Sequence, residues 1–220
     1  MSQADPFHFY TRLHLRELTG LKAKNLTELA AHLETVPGSV VYHHTHHFLQ
    51  QHQYLSPEPP NDFAYWVTEI LQDKRLGERL ASINTCDFKT IRELREKILS
   101  TIRGYLEKAK DLREAPEGEE FHLVKSISFV FPTPYSVSNL EEFAAVLKKI
   151  TIHSIYFHMF EARIRLEKGT NDFSLWLEGL GEKELAQKIA RLDPYTHTME
   201  GLRTKVIQLV ENRIRKAGRG

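Results

Sequence analysis

The chain has 220 residues, of which 41% are hydrophobic and 27% charged, a composition typical of globular proteins. Its net charge is +1 without any basic block, which argues against nucleic-acid binding. No apolar run approaches the ~18–20 residues of a membrane span. The first residues lack the pattern of a signal peptide, and the single cysteine, Cys86, excludes an internal disulfide. We therefore expect a cytoplasmic protein that binds neither nucleic acid nor a membrane.

The first half of the chain begins with a predicted strand, and the second half does the same. Apolar residues alternate with polar ones from Phe7 to Arg16, and a similar pattern follows Leu123. Alternation with a period of two is typical of a half-buried strand. Because a lone strand leaves its backbone groups unpaired, we expect the two strands to pair with each other, within a small sheet.

About five helices are predicted after each strand. Asn25 with Glu28, and Asn139 with Glu142, have the spacing of a capping box at the start of the first helix. The sequence predicts a second helix at about 39–51 or 152–167. A third helix follows at Asp62 or Asp172, where the aspartates are interpreted as N-caps. A fourth helix is predicted near Gly77 or Gly181, and a long final one near Thr90 or Thr198.

These elements form a tandem repeat, because matching strings recur in the same order with small gaps. Three of the matches are Asn25–Ala31 with Asn139–Ala145, Ser39–His43 with Ser154–His158, and Asn61–Trp66 with Asn171–Trp176. The period of about 110 residues is too long for solenoid repeats and indicates a duplicated domain. We predict a mainly helical α+β fold with two pseudo-symmetric halves, packed as one globular unit: 1–113, a linker at 114–120, and 121–220.

The first half carries a proline-rich loop, 54–60, where the second half has only a short turn. Prolines stiffen a loop at low entropic cost. The loop could act as a lid or a partner-docking element, and it could equally be a plain surface turn.

The run of histidines from His43 to His47 is the most distinctive candidate site. Side chains three and four residues apart share a helix face, and the alignment places His43 and His46 on His158 and Glu161. If these helices face each other at the seam between the repeats, imidazoles and a carboxylate converge, a donor set suited to Zn, Mn, Fe or Ni. The predicted ligands are His43, His46, His158 and Glu161, with His44 and His47 as fallbacks.

A bound divalent metal would activate a water molecule by lowering its pKa toward ~7, as in hydrolases. Asp62 and Asp172 could then supply a general base or the rim of a substrate pocket. Arg163 could bind an anionic group of the substrate, although an ion pair is the safer interpretation of such an arginine. Without a metal, His43 and His158 could act as acid and base, but no nucleophile is evident.

The competing hypothesis is a non-catalytic interaction module. In this interpretation the histidines are structural, and the proline-rich loop or a helical face meets a protein partner. The sequence contains no G-x-S-x-G, P-loop or G-x-G-x-x-G motif. Whether the protein is an enzyme therefore stays open, as does the identity of a small-molecule or protein partner.

Several strings resemble a bacterial and archaeal domain family of unknown function. They are HHTHHF at 43–48, SPEPPNDFAYW at 56–66, FHxFEARxR at 157–165 and NDFSxWL at 171–177. The resemblance covers nearly the whole chain. It implies at most a carbohydrate context, since members of the family it resembles lie near sugar glycosyltransferases, and it supplies no catalytic residues.

Overall fold

The computed structural model describes residues 5–51, 60–108, 113–166, 170–193 and 196–218. It shows an α+β, mainly helical chain with two strands, β1 (Phe7–Ala23) and β2 (Phe121–Val137). These strands form a two-stranded sheet, which confirms the predicted pairing. Residues 54–59 of the proline-rich loop lie outside the described residues, so the role predicted for this loop stays a prediction.

Side-chain hydrogen bonds between the strands reveal an antiparallel register. Thr133 Oγ1 donates to the carbonyl of Phe9, and Thr19 Oγ1 donates to the carbonyl of Leu123. Residue numbers therefore fall along β2 as they rise along β1. Each strand is 17 residues long, clearly longer than the alternating stretch that predicts it. The buried side of β1 changes after Phe9, so the alternation of buried and exposed residues ends well before the strand does.

The chain divides into two compact units, and each unit contains a part of both strands. Among the described residues, unit 1 comprises 5–13 and 129–218, and unit 2 comprises 14–51 and 60–128. The predicted repeat boundaries describe a gene duplication rather than the packing of the chain, and they stay a prediction.

Unit 2 packs its helices around an aliphatic core with some aromatic side chains. Leu29, Leu33, Val40, Phe63 and Leu80 are at most 1% exposed in this core. A complete capping box, with Thr90 and Glu93 bonding each other's backbone N–H groups, begins the last helix. The helical elements are α1 (Leu26–Thr35), α2 (Gly38–Gln51), α3 (Asp62–Tyr65) continued by a π-helical turn (Trp66–Ile70), α4 (Lys74–Ala81), a 3₁₀ turn (Thr85–Asp87) and α5 (Ile91–Leu106).

Unit 1 packs its helices around an aromatic cluster. Phe7 and Phe9 of β1 contact Phe143 and Phe173, and Trp176 joins the same cluster. The helical elements are α6 (Leu140–Leu147), α7 (Ile152–Tyr156), a π-helical turn (Phe157–Glu161), α8 (Ala162–Leu166), α9 (Asp172–Gly179), α10 (Lys183–Ala190) and α11 (Met199–Ala217). Because Phe7 and Phe9 belong to the first strand, the N-terminal segment is an integral part of this core.

The caps of α3 and α9 correct one sequence-based interpretation. Asn61 accepts a hydrogen bond from the N–H of Ala64, and Asn171 accepts one from the N–H of Ser174. The N-caps are therefore the asparagines, and the interpretation of Asp62 and Asp172 as N-caps is wrong. Each aspartate is the first helical residue instead, so its carboxylate is available to another partner.

Among the described residues, no helix combines the length and the apolar character that a membrane span requires.

Candidate functional site

In unit 1, the buried side chain of His158 connects a helix to the edge of β1. Its Nδ1 lies 2.8 Å from Oδ2 of Asp172, and its Nε2 accepts a hydrogen bond of 2.8 Å from the N–H of Tyr10. The ring also stacks on Phe173 and meets the edge of Phe7. We call this set of His158, Asp172 and the Tyr10 N–H the His158 clamp.

The hydrogen bonds of the His158 clamp define which ring nitrogen carries a proton. A backbone N–H can only donate, so Nε2 must be an unprotonated acceptor, and Nδ1–H donates to Asp172. Burial lowers the pKa of His158 below its ordinary value of 6.5, although the hydrogen bond to Asp172 opposes this effect. The clamp therefore holds a neutral imidazole whose two nitrogens are both engaged.

Unit 2 contains the same arrangement around His44. Nδ1 of His44 lies 2.8 Å from Oδ2 of Asp62, and Nε2 accepts a hydrogen bond of 3.0 Å from the N–H of Val124 in β2. The ring packs against Phe63 and Phe121, as His158 packs against Phe173 and Phe7. We call this set of His44, Asp62 and the Val124 N–H the His44 clamp.

These contacts change the correspondence on which the predicted ligand set was built. His44, rather than His43, makes the contacts that His158 makes, so the alignment of His43 with His158 is shifted by one residue. By contacts, His43 then corresponds to Phe157 and His46 to Phe160. The shift arises because a run of adjacent histidines offers several matches to a single histidine.

Unit 2 has His43 where unit 1 has Phe157, and this gives unit 2 a group that the described residues of unit 1 do not form. Ligand atoms of His43, His44 and Asp62 all lie within 4.8 Å of one another, and the two imidazole rings meet edge to face at 5.0 Å. Two imidazoles with one carboxylate are a set that proteins use for zinc and for non-haem iron. Within the residues that the structure describes, this is the group of three or more such side chains that could hold a metal ion.

The carboxylates of the two clamps differ in their surroundings. Asp172 is 15% exposed and also bonds Nη2 of Arg165 at 2.5 Å, so its charge is neutralised within unit 1. Asp62 is 44% exposed, and its carboxylate accepts a hydrogen bond from Nδ1 of His44. An incoming cation would therefore meet an accessible carboxylate at Asp62 and a paired one at Asp172.

The other predicted site residues have different neighbours. His46 stacks on Tyr42 and bonds Oγ1 of Thr45. Glu161 forms a buried ion pair with Arg12, and Arg163 donates to the carbonyl of Ala190 at 2.7 Å. His46 and Glu161 therefore belong to no group of three ligand residues in the described ranges, and the side chain of His47 lies outside them.

Unit 1 also contains an open cavity of about 650 Å³ beside its clamp. Tyr10, Phe157 and Trp176 contribute aromatic surface, and the Arg165–Asp172 ion pair forms part of the wall. The guanidinium of Arg165 lies 4.9 Å from the ring centre of Phe157. Asp172 lies on this wall, and its predicted role in a substrate pocket stays a prediction.

Sequence reasoning missed three participants. The role of the backbone N–H groups of Tyr10 and Val124 cannot be recognised from the residue types. Phe7 and Phe121, three residues before them, do align in the repeat. Arg12 was also missed, because its ion pair with Glu161 joins residues far apart in the sequence. In the alternation from Phe7 to Arg16, Arg12 occupies a polar, outward position, so no local signal in the sequence marked it as buried.

The chain belongs to the Family of unknown function (DUF5752), which matches residues 4–211. Among solved structures it is similar to OrfY from Thermoproteus tenax, with 30% sequence identity and a TM-score of 0.82. That similarity covers 96% of this chain and 97% of the OrfY chain. No curated protein matches the sequence.

Proposed function

We propose that the protein binds a divalent transition-metal ion in unit 2 through His43, His44 and Asp62. The observation that carries the proposal is the convergence of two imidazoles and a carboxylate within 4.8 Å. Both histidines are buried, 6% and 4% exposed, so few ring orientations compete with the converging one. The half-exposed carboxylate of Asp62 gives the ion a route from solvent.

Binding requires a small contraction of the group. With metal–ligand distances of about 2.1 Å, the donor atoms of a tetrahedral site lie roughly 3.4 Å apart. A separation of 4.8 Å must therefore shorten by about 1.4 Å, and the 2.8 Å between Nδ1 of His44 and Oδ2 of Asp62 must lengthen slightly. Asp62 has the most freedom to adjust, because its side chain is the exposed member of the group.

Binding also changes the proton on His44. The metal replaces the proton on Nδ1, and a neutral ring then carries its hydrogen on Nε2, which faces the N–H of Val124. Losing that hydrogen bond in a buried site costs about 1–3 kcal/mol. Structural zinc sites contribute roughly 10–16 kcal/mol at neutral pH. Even a three-ligand site of lower affinity would offset the loss.

With three protein ligands, a fourth coordination position stays open for water. A zinc-type ion lowers the pKa of such a water toward ~7 and makes it a nucleophile at neutral pH. We therefore propose hydrolase-like chemistry for the metal-loaded protein. The assay is metal-dependent hydrolysis of bis(p-nitrophenyl) phosphate, compared between the wild type and the ligand variants described next.

Metal content of tag-free protein, measured after repletion with Zn, Mn, Fe or Ni and desalting, tests the proposal. We expect about one ion per chain in the wild type. His43→Phe installs the side chain that unit 1 has at the corresponding position, so it removes a ligand and keeps an aromatic ring there. We expect this variant to lose the ion.

His46→Phe is the matched control, since Phe160 occupies the corresponding place in unit 1. Retention of the ion in His46→Phe, together with its loss in His43→Phe, supports the site in unit 2. Loss in both variants and in Glu161→Gln would instead support the ligand set His43, His46, His158 and Glu161. A wild-type protein that retains no metal contradicts both sets.

A second function is favoured by the clamps themselves. His44 and His158 use both ring nitrogens within the fold, as structural histidines do, and this supports a non-catalytic interaction module. Under this proposal the protein retains no metal after repletion. His43→Phe then leaves every binding property of the protein unchanged.

A further inference from the structure

A groove of about 510 Å³ is lined by α10 and by the last part of α11, both in unit 1. Lys188 of α10 lies in its wall together with Arg213, Arg215 and Lys216 of α11, and Glu184 is the acidic residue of this wall. We call this site the α10–α11 groove. Its wall is therefore rich in positive charge.

Helical spacing brings these side chains to one place. Leu209, Arg213 and Lys216 follow one another at four and three residues, so they share a face of α11. Leu185 and Lys188, three residues apart, share a face of α10 in the same way. Because Leu185 is only 3% exposed, this face of α10 is packed within unit 1. The groove is thus built from regular helices of the fold.

Two of the four cations already have an acidic partner. Nζ of Lys188 lies 2.6 Å from Oε1 of Glu184, and Nε of Arg213 lies 2.6 Å from Oε2 of Glu182. These ion pairs compensate the charge of Lys188 and Arg213.

Arg215 and Lys216 have no such acid. Nη2 of Arg215 donates to Oδ1 of Asn212, an uncharged group, at 2.6 Å. Glu211, one turn before Arg215, pairs with Lys148 at 2.6 Å. Neither Arg215 nor Lys216 forms an ion pair with another residue that the structure describes. The groove therefore has a surplus of two positive charges.

This positive charge acts across the groove. The pKa of Glu184 is lowered from its ordinary value of 4.5, first by Lys188, which donates a hydrogen bond to it. The charges of Lys216 and Arg213 on α11 lower this pKa further. The C-terminal turn of a helix carries only about half a negative charge, so the end of α11 offsets a small part of the surplus. An anion in the groove would meet a net attraction.

We propose that the α10–α11 groove binds a small molecule with two adjacent phosphoryl groups, of the diphosphate type. The guanidinium of Arg215 matches two oxygens of one phosphoryl group, and the ammonium of Lys216 binds the other as a point charge. The volume of the groove lies within the range of about 300–1,000 Å³ that is common for small-molecule sites. A nucleic acid makes many more phosphate contacts than a surplus of two charges can satisfy.

Calorimetric titration of the full, metal-free protein with inorganic pyrophosphate tests the proposal. We expect one site per chain, with an affinity that weakens as salt is added because salt screens exposed charges. Arg215→Gln combined with Lys216→Gln removes the surplus, and we expect it to weaken binding at least about tenfold. Lys89→Gln combined with Arg92→Gln removes the same charges at exposed positions of unit 2 and is the matched control.

A second variant should strengthen binding instead of disrupting it. Glu184→Gln releases Lys188 and adds to the positive surplus, so we expect pyrophosphate to bind about two- to fivefold more tightly. Glu34→Gln, which breaks an exposed ion pair with Arg103 in unit 2, is its control and should bind like the wild type.

Three results would overturn the inference. They are a wild type that binds no pyrophosphate at about 10 mM, equal weakening by the Lys89 and Arg92 control, and a Glu184→Gln variant that binds no more tightly. Sulfate that binds as tightly as pyrophosphate would overturn the assignment of two adjacent phosphoryl groups. His43→Phe should bind pyrophosphate normally, so failure of the metal proposal leaves this result unaffected.

Discussion

In unit 1 the clamp histidine lies beside Phe157, and its aspartate is paired with Arg165. In unit 2 the corresponding histidine lies beside His43, and its aspartate is 44% exposed. The same pair of hydrogen bonds thus occurs in an apolar, charge-neutralised setting and in a polar, accessible one. The comparison indicates that a hydrogen-bonded histidine–aspartate pair with a structural role can become part of a candidate metal-binding group when one neighbouring side chain differs.

The largest expected effect concerns the buried ion pair of unit 1. Arg12→Met leaves the carboxylate of Glu161 without its cation in a site where it is only 14% exposed. We expect the free energy of unfolding to fall by about 3–5 kcal/mol in urea denaturation. Adding Glu161→Met should restore most of the loss. If the double variant is no more stable than Arg12→Met, the Arg12–Glu161 ion pair is not an electrostatic difference between unit 1 and unit 2.

Removing either clamp histidine should have the next largest effect. His158→Ala opens a cavity and leaves the Tyr10 N–H without its acceptor, and His44→Ala does the same for Val124. We expect each to lower the free energy of unfolding by about 2–4 kcal/mol. His8→Ala, at an exposed position of β1, is the control and should change it by less than about 0.5 kcal/mol. A large effect in one unit and none in the other would break the equivalence of the clamps.

Acidification should weaken the His158 clamp. The pKa of His158 is lowered from 6.5 in the folded protein, so below pH 6.5 the unfolded chain binds a proton that the folded chain does not. Its stabilisation is thus complete above about pH 6.5 and is lost as the pH falls toward the folded-state pKa. The slope reaches at most about 1.4 kcal/mol per pH unit. His158→Gln keeps a donor and an acceptor but cannot titrate, so its unfolding free energy should depend less on pH between 5 and 7.

The smallest expected effect is the difference in unfolding free energy between variants of the two asparagine N-caps. Asn61→Ala and Asn171→Ala each remove an N-cap, which costs about 1 kcal/mol. Asn61 also donates from Nδ2 to the carbonyl of Leu80 at 3.1 Å, a bond for which Asn171 shows no equivalent in the described residues. Asn61→Ala should therefore be the more damaging by about 1 kcal/mol in thermal or urea unfolding. Equal losses would mean that the Leu80 bond contributes nothing.

Much of the fold could be predicted because its signals are local. Asn25, Thr90 and Asn139 each precede a helix with the spacing of a cap, and the structure begins a helix directly after each. The alternation after Phe7 likewise predicts β1. These signals depend on neighbours within four residues, and a single sequence contains that information.

Only the types of residue in the site could be predicted from the sequence, not their contacts. The sequence drew attention to the histidine run and to Asp62, but it did not distinguish His43 from His44 as the partner of that aspartate. Adjacent residues on a helix point about 100° apart, so a shift of one residue changes every contact. The acceptor role of the imidazole toward the Val124 N–H could not be foreseen at all, because it depends on which backbone groups the strand leaves at its edge.

Part of the aromatic cluster of unit 1 comes from the start of the chain. This limits which fragments of the protein can fold by themselves. A fragment comprising only residues 114–220 would lack Phe7 and Phe9, which contact Phe143 and Phe173 in the intact protein. Such a fragment should fold poorly by itself. A synthetic peptide with the sequence of residues 5–13 should rescue it in trans, so the two pieces would behave as a complementation pair.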